Sequence, residues 1–319
     1  FYIDGWKLAD YILSGAWLAP WQTMPEPSTF NDPSFAANTW RISEDINAAY
    51  VQADFSTGRL RGNVGVRYVQ TESESGSWSC TVTVTPCPAT SYAWGVVKKK
   101  YNDVLPNVNL VFDAADDVLL RFSAAKVISR PNYADMSSYL WLGDQTLTGG
   151  GGNPELDPYE SLNLDFSAEW YFAPNSILAG SVFYKDVDNY ILSTTSPEVH
   201  YNQAQGMDAT YQVARPHNAG TAKIEGYSLA YQQGIGGGFG FVTNFTYANA
   251  EASSGDPMPF NSKQQLNISP YYEGDKWSAR LTANWRSKYF TNVDRGDNLW
   301  VKPYSSLDFS LGYHINDHF

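Results

Sequence analysis

Leu162-Asn163-Leu164-Asp165-Phe166-Ser167-Ala168-Glu169-Trp170 decides the fold. Leu162, Leu164, Phe166, Ala168 and Trp170 share one parity, and Asn163, Asp165, Ser167 and Glu169 share the other. Side chains of a strand alternate between its two faces, so one face here is wholly apolar and the other wholly polar. With its flanks the run is about eleven residues long; tilted near 40° it rises about 28 Å, the thickness of a bilayer's hydrocarbon core. Strands of soluble sheets are usually about half that length.

The same pattern recurs. Trp277, Ala279, Leu281, Ala283 and Trp285 oppose Ser278, Arg280, Thr282, Asn284 and Arg286, with a Trp at each end of the apolar row, as two interfacial girdles require. Leu307, Phe309, Leu311 and Tyr313 oppose Ser306, Asp308 and Ser310. Strands are expected at about 45–55, 60–71, 101–113, 118–128, 160–172, 176–190, 221–232, 239–249, 264–272, 277–287 and 303–313. Tight turns such as Ser56-Thr57-Gly58 and Ala173-Pro174-Asn175 alternate with long loops at about 72–100, 129–159, 191–220, 251–263 and 288–302. Segregated loop lengths mark an outer-membrane barrel, with periplasmic turns below and extracellular loops above. The fold class is therefore all-β: an antiparallel transmembrane β-barrel, with about eleven strands present.

Composition narrows the function classes. The chain has 319 residues and a formal charge of −12, which argues against a nucleic-acid partner. Aromatic residues make up 15%, with 11 Trp and 22 Tyr, as girdles and aromatic loops demand. Cys80 and Cys87 lie close together in a loop and suggest one disulfide in an oxidising compartment, two free thiols being the alternative. Asp165 with Glu169 would suit glycoside hydrolysis, but both occupy the polar row that wets a barrel interior, so no enzyme is expected. Gly149-Gly150-Gly151-Gly152 lacks the Lys-Ser/Thr of a phosphate loop and reads as a flexible loop tip. Asp144, Asn153 and Asp157 do not have the spacing of a calcium loop, and the four His form no ligand motif, so no metal or cofactor is expected.

Three stretches resemble a known family: Ser129-Arg130-Pro131, Gly152-Asn153-Pro154-Glu155-Leu156-Asp157-Pro158-Tyr159-Glu160 and Phe183-Tyr184-Lys185-Asp186-Val187. In order and spacing they are similar to the late-barrel signature of TonB-dependent outer-membrane receptors, most of all the branch of Caulobacter- and Xanthomonas-type bacteria. The resemblance implies a Gram-negative outer-membrane location, a barrel of about 22 strands around a plug, and active import powered through TonB. Residues 1–44, with little periodicity and several Pro, Ser and Asn, read as an extracellular loop segment, with a short helix near Trp6 to Leu13. On that template residues 45–319 are a partial barrel, with the plug, the early strands and the final strands missing. The expected partners are TonB through the plug, outer-membrane lipid, and a small-molecule or oligosaccharide ligand.

Trp6, Trp17, Trp21, Trp40, Trp78, Trp94, Trp141 and Trp300 all fall outside the expected strands. Flat rings suit stacking on sugars or aromatic siderophores, and packing of loop on loop is the alternative. The candidate ligand contacts are Tyr139, Trp141, Asp144, Trp94, Trp300 and Arg286. Loop aromatics and acidity point to an oligosaccharide, with a ferric siderophore second and a passive porin or adhesin barrel as a different class.

Overall fold

The computed structural model describes residues 39–80, 91–253, 255, 257–294 and 297–315. Its elements are strands: β1 Trp40–Thr57, β2 Leu60–Cys80, β3 Tyr92–Ala115, β4 Val118–Ser129, β5 Leu140–Gly143, β6 Thr148–Gly151, β7 Tyr159–Ala173, β8 Ser176–Asn202, β9 Met207–Gly236, β10 Phe239–Ala252, β11 Gln264–Glu273, β12 Trp277–Arg286, β13 Tyr289–Asp294, β14 Asp297–Val301 and β15 Tyr304–Tyr313. Eleven of them form one antiparallel path, β1-β2-β3-β4-β7-β8-β9-β10-β11-β12-β15, and the path does not close on itself. Every neighbour in the path is also the next wall strand in sequence, as in an up-and-down barrel wall.

Register joins the apolar rows into one continuous belt. Leu164 lies opposite Ala124 on β4 and Tyr184 on β8, and Phe166 opposite Phe122 and Val182. At the far end Trp277 faces Tyr313, their rings 4.4 Å apart, and Leu281 faces Phe309. Leu162, Phe166, Trp170, Leu307 and Phe309 stay exposed, as a lipid-facing row must. The polar row links across strands instead: Arg61 donates to Asp113 at 2.6 Å, Arg121 Nε to Glu169 at 2.7 Å, and Ser228 meets Thr246 at 3.0 Å.

At the turns the strands start where expected, at 60, 118, 176, 239 and 277, but run on past their expected ends, by up to four residues in β9, which reaches Gly236. At the loops, β4, β7, β11, β12 and β15 end or begin within a residue of expectation, but β2, β3, β8 and β9 run far beyond it. Segments 72–80 and 92–100 were expected as loop, yet they continue β2 and β3; likewise 191–202 and 207–220 continue β8 and β9. Above the lipid the outer row no longer has to be apolar, so the hydrophobic alternation lapses while the hydrogen-bond ladder continues. A bulge between Val187 and Ile191 also shifts which parity faces inward. Cys80 ends β2, while Cys87, the expected helix near Trp6 and most of the expected loop segment 1–44 lie outside the described residues; β1 itself begins at Trp40.

Candidate functional site

The loop between β4 and β7 builds the mouth. It opens with a turn in which Asp135 N donates to Asn132 O at 3.0 Å, then forms the β5–β6 hairpin. This hairpin docks by strand addition. Thr148, Gly149 and Gly150 pair in parallel with Gln212, Val213 and Ala214 of β9, above the end of β10. Gly149 to Gly151 are therefore strand, not a flexible tip. A Cβ on Gly149 would stand 2.8 Å from Trp141 O, one on Gly150 2.7 Å from the indole nitrogen of Trp141, and one on Gly152 2.3 Å from Ser137 O. Glycine is required here for close approach rather than for freedom to move.

Three polar locks hold the hairpin. The Asp144 carboxylate accepts from Tyr211 OH at 2.7 Å and from Ala204 N at 3.2 Å, and its carbonyl accepts from Asn202 at 2.9 Å. Tyr211 is fully buried, and burial together with the Asp144 bond pushes its hydroxyl pKa up to about 12. Arg215 donates to Glu198 through Nε at 2.7 Å and Nη2 at 3.1 Å, and through Nη1 to Gly152 O at 2.7 Å. The Arg215 guanidinium, helped by His200 at 2.8 Å, holds the Glu198 carboxyl below the usual range. The third lock is the Asn153–Pro158 segment. Asn153 reaches Pro216 O at 3.0 Å, and Asp157 N donates to Asn218 at 2.8 Å, whose amide returns to Asp157 O at 2.9 Å. From the other side Lys99 of β3 donates to Glu155 O and to Asp157, both at 2.6 Å. Leu156 is buried between them at 1% exposure. Arg130 donates to Thr71 at 3.1 Å and Ser138 to Ser77 at 3.0 Å, seating the loop on the inner face of β2. The loop is thus a strut from β2–β3 to β9 along the luminal side of the wall.

The candidate contacts fall in three places. Tyr139, Trp141 and Asp144 ride on the strut. Trp141 is 47% exposed over Gly150, while the Asp144 carboxylate is taken up by the lock to Tyr211 and Ala204. Arg286 and Trp300 both belong to the β12–β15 loop region, each in its own cation–ring contact. The Arg286 guanidinium lies 4.6 Å from the Tyr289 ring and 5.7 Å from that of Tyr304, and Lys288 Nζ 4.6 Å from the Trp300 ring. Trp94 stands apart, on the outer face of the β2–β3 extension against Trp78. Asp165 and Glu169 sit in the luminal row beside Ser123 and Arg121. Tyr211, Arg215, Glu198 and Asn218 were not expected at the site. They lie where the sequence reads as loop, so nothing assigned them a face.

A family model described as "TonB dependent receptor-like, beta-barrel" matches residues 6–319. No curated protein matches by sequence. Among solved structures the fold is similar to the ferric-catecholate import receptor Fiu from E. coli K12, at 16% identity and a TM-score of 0.63, covering 87% of this chain and 39% of that one. It is also similar to the ferric enterobactin receptor PfeA from Pseudomonas aeruginosa, at 16% identity and TM-score 0.63, covering 87% and 47%. The ferric yersiniabactin uptake receptor FyuA from Yersinia pestis follows at 18% and 0.60, covering 86% and 39%. The chain spans less than half the length of each.

Proposed function

Because the chain belongs to the TonB-dependent receptor-like β-barrel family, we propose that it forms the central-to-late wall and ligand-facing mouth of a receptor in the outer membrane of a Gram-negative bacterium. The receptor imports a scarce nutrient, powered by TonB acting through a plug domain. Residues 45–319 are part of its barrel, whose wall already begins at Trp40 in β1. The signature from Ser129 to Glu160 supports the Caulobacter- and Xanthomonas-type branch. One observation carries the reading: a strut locked along the inside of a lipid-belted wall, holding Trp141 half exposed at the mouth.

A ferric siderophore is the ligand class best supported. The similar solved structures are receptors for such chelates. The cationic and aromatic pairs at Arg286 and Lys288 suit an anionic, ring-bearing chelate. An oligosaccharide is the second reading, favoured by Trp141, whose ring has no cation over it among the described residues. In cells expressing the full receptor, radio-iron on a catecholate chelator should accumulate only when TonB is present, while a labelled oligosaccharide should not. Trp141→Ala should weaken binding about tenfold without lowering the receptor's level in the membrane. TonB-independent accumulation of either probe would refute active import, and oligosaccharide uptake alone would reverse the ligand assignment.

A further inference from the structure

The β5–β6 hairpin ends in an open edge, and the bonds already made fix which backbone groups face it. Gln212 N donates to Leu147 O at 2.8 Å, in register with the parallel pairing of Thr148 to Gln212 and Gly149 to Val213. Backbone groups of successive residues in a strand turn to opposite neighbours. Leu147, Gly149 and Gly151 therefore turn theirs toward β9, and Thr148 and Gly150 turn theirs toward β5. The residues opposite these two are Gly143 and Trp141. Two close approaches place the carbonyls of β5 the same way. Trp141 O stands 2.8 Å from the Cβ position of Gly149, and Tyr139 O 2.4 Å from that of Gly151. Leu140 and Leu142 have the other parity. Their N–H and C=O groups point away from β6, and among the described residues no further strand pairs with β5.

Edges of this kind are ordinarily blunted by lysine, proline or a bulge. Leu140-Trp141-Leu142-Gly143 has none of these. It lies at the mouth, and it carries the half-exposed ring of Trp141. A guest that satisfies the edge must offer donors and acceptors repeating every second residue of a strand, about 7 Å apart. An extended main chain does so; a sugar or a catecholate ring does not. The same loop already shows such an addition, since β6 has joined β9 by main-chain pairing. We propose that the imported ligand carries an extended peptide segment that adds as a strand to β5, bonded through Leu140 and Leu142, with one of its side chains against Trp141. The inference rests on the import reading above and gives its ligand a main-chain element: a peptide-bearing ferric chelate. Side chains directly opposite in a strand pair stand about 5 Å apart, close enough to pack on the ring. With only Leu140 and Leu142 to bond, the edge supplies an increment to binding rather than the whole of it.

The test uses the full receptor and three probes: a ferric catecholate, the same chelate bearing a Val-Thr-Val-Thr tail, and that tailed chelate with its tail amides N-methylated. Radio-iron uptake is measured first. If no chelate enters in a TonB-dependent way, the import reading fails and this inference fails with it. In titrations of purified receptor the peptide tail should tighten binding about tenfold, and the N-methylated tail should not. Amide hydrogen exchange locates the contact. In the free receptor the Leu140 and Leu142 amides should exchange freely, while those of Trp141 and Gly143, turned toward β6, should be protected. Binding of the tailed chelate should slow the two leucine amides at least about tenfold, and the N-methylated form should leave them fast. Equal affinities for the two tailed chelates, with import intact, would overturn the peptide inference and leave the chelate reading standing. Leucine amides already protected in the free receptor would also overturn it, because the edge would then be covered by the receptor's own chain or by a second copy.

Discussion

Gly152→Ala tests whether the mouth loop is a strut. The added Cβ would stand 2.3 Å from Ser137 O, 2.6 Å from Ser137 Oγ and 2.8 Å from Asp135 O. Carbon–oxygen contacts settle near 3.3 Å, so one segment must retreat by about 1 Å. Two hydrogen bonds stand in the way of that retreat: Asn153 N to Asp135 O and Arg215 Nη1 to Gly152 O, both 2.7 Å. Overpacking costs about 1–3 kcal/mol, a neutral hydrogen bond about 1 and a charged one about 2. Partial relaxation leaves about 3 kcal/mol of lost docking, or about a hundredfold more frequent opening of the hairpin. The assay is amide hydrogen exchange on the full receptor. The Asn153 amide, and the Gln212 amide that donates to Leu147 O at 2.8 Å, should exchange about a hundredfold faster, while amides of β7 and β8 in the belt stay unchanged. Gly58→Ala is the control: Gly58 has φ +56° with nothing near its Cβ position, so the cost is about 1–2 kcal/mol of backbone strain confined to a turn. Unchanged exchange at Asn153 and Gln212 in Gly152→Ala would show that the loop is not held by close approach at its glycines, and the strut would fall.

The remaining predictions concern the locks, the belt and the cysteines. Tyr211 has its pKa raised to about 12 from 10, so its contribution is whole below pH 10 and is lost as pH climbs toward 12. Protease nicking within 130–158 should accelerate across that window in wild type, whereas Tyr211→Phe should nick faster at neutral pH and respond little above pH 10. Glu198 is shifted the other way, so its contribution holds above the ordinary Glu pKa and fades as pH falls through its lowered value. Arg215→Gln should remove this acid dependence and loosen the hairpin by about 2–3 kcal/mol, read by the same proteolysis. Leu164→Arg should cost about 2–4 kcal/mol of assembly and Asp165→Arg much less; equal folding yields in lipid would contradict the assignment of faces. Cys80 and Cys87 should resist alkylation without reductant in receptor taken from the outer membrane; two labelled thiols would exclude the disulfide.

The wall was legible in the sequence because lipid imposes period-two alternation on every strand that crosses it. Leu162 to Trp170, Trp277 to Trp285 and Leu307 to Tyr313 carry their face assignments in their spelling, and turn residues such as Gly58 and Asn175, both at positive φ, place the lower ends. Above the lipid that constraint ends. Glu72 to Ser77 and Ser193 to His200 read as loop because their apolar rhythm has gone, although the ladder continues through them. The same limit hid the mouth. A glycine run looks the same whether it serves freedom or close approach, and only the 2.3–2.8 Å clearances at Gly149 to Gly152 distinguish the two. Asp144 looked like a free acceptor because its partners, Tyr211 and Ala204, lie some sixty residues further along the chain. The signature from Asn153 to Pro158 was recognisable as a motif but carried no visible reason. Its reason is tertiary: Lys99 from one strand and Asn218 from another converge on it, and no local pattern records which distant strands a loop will bridge.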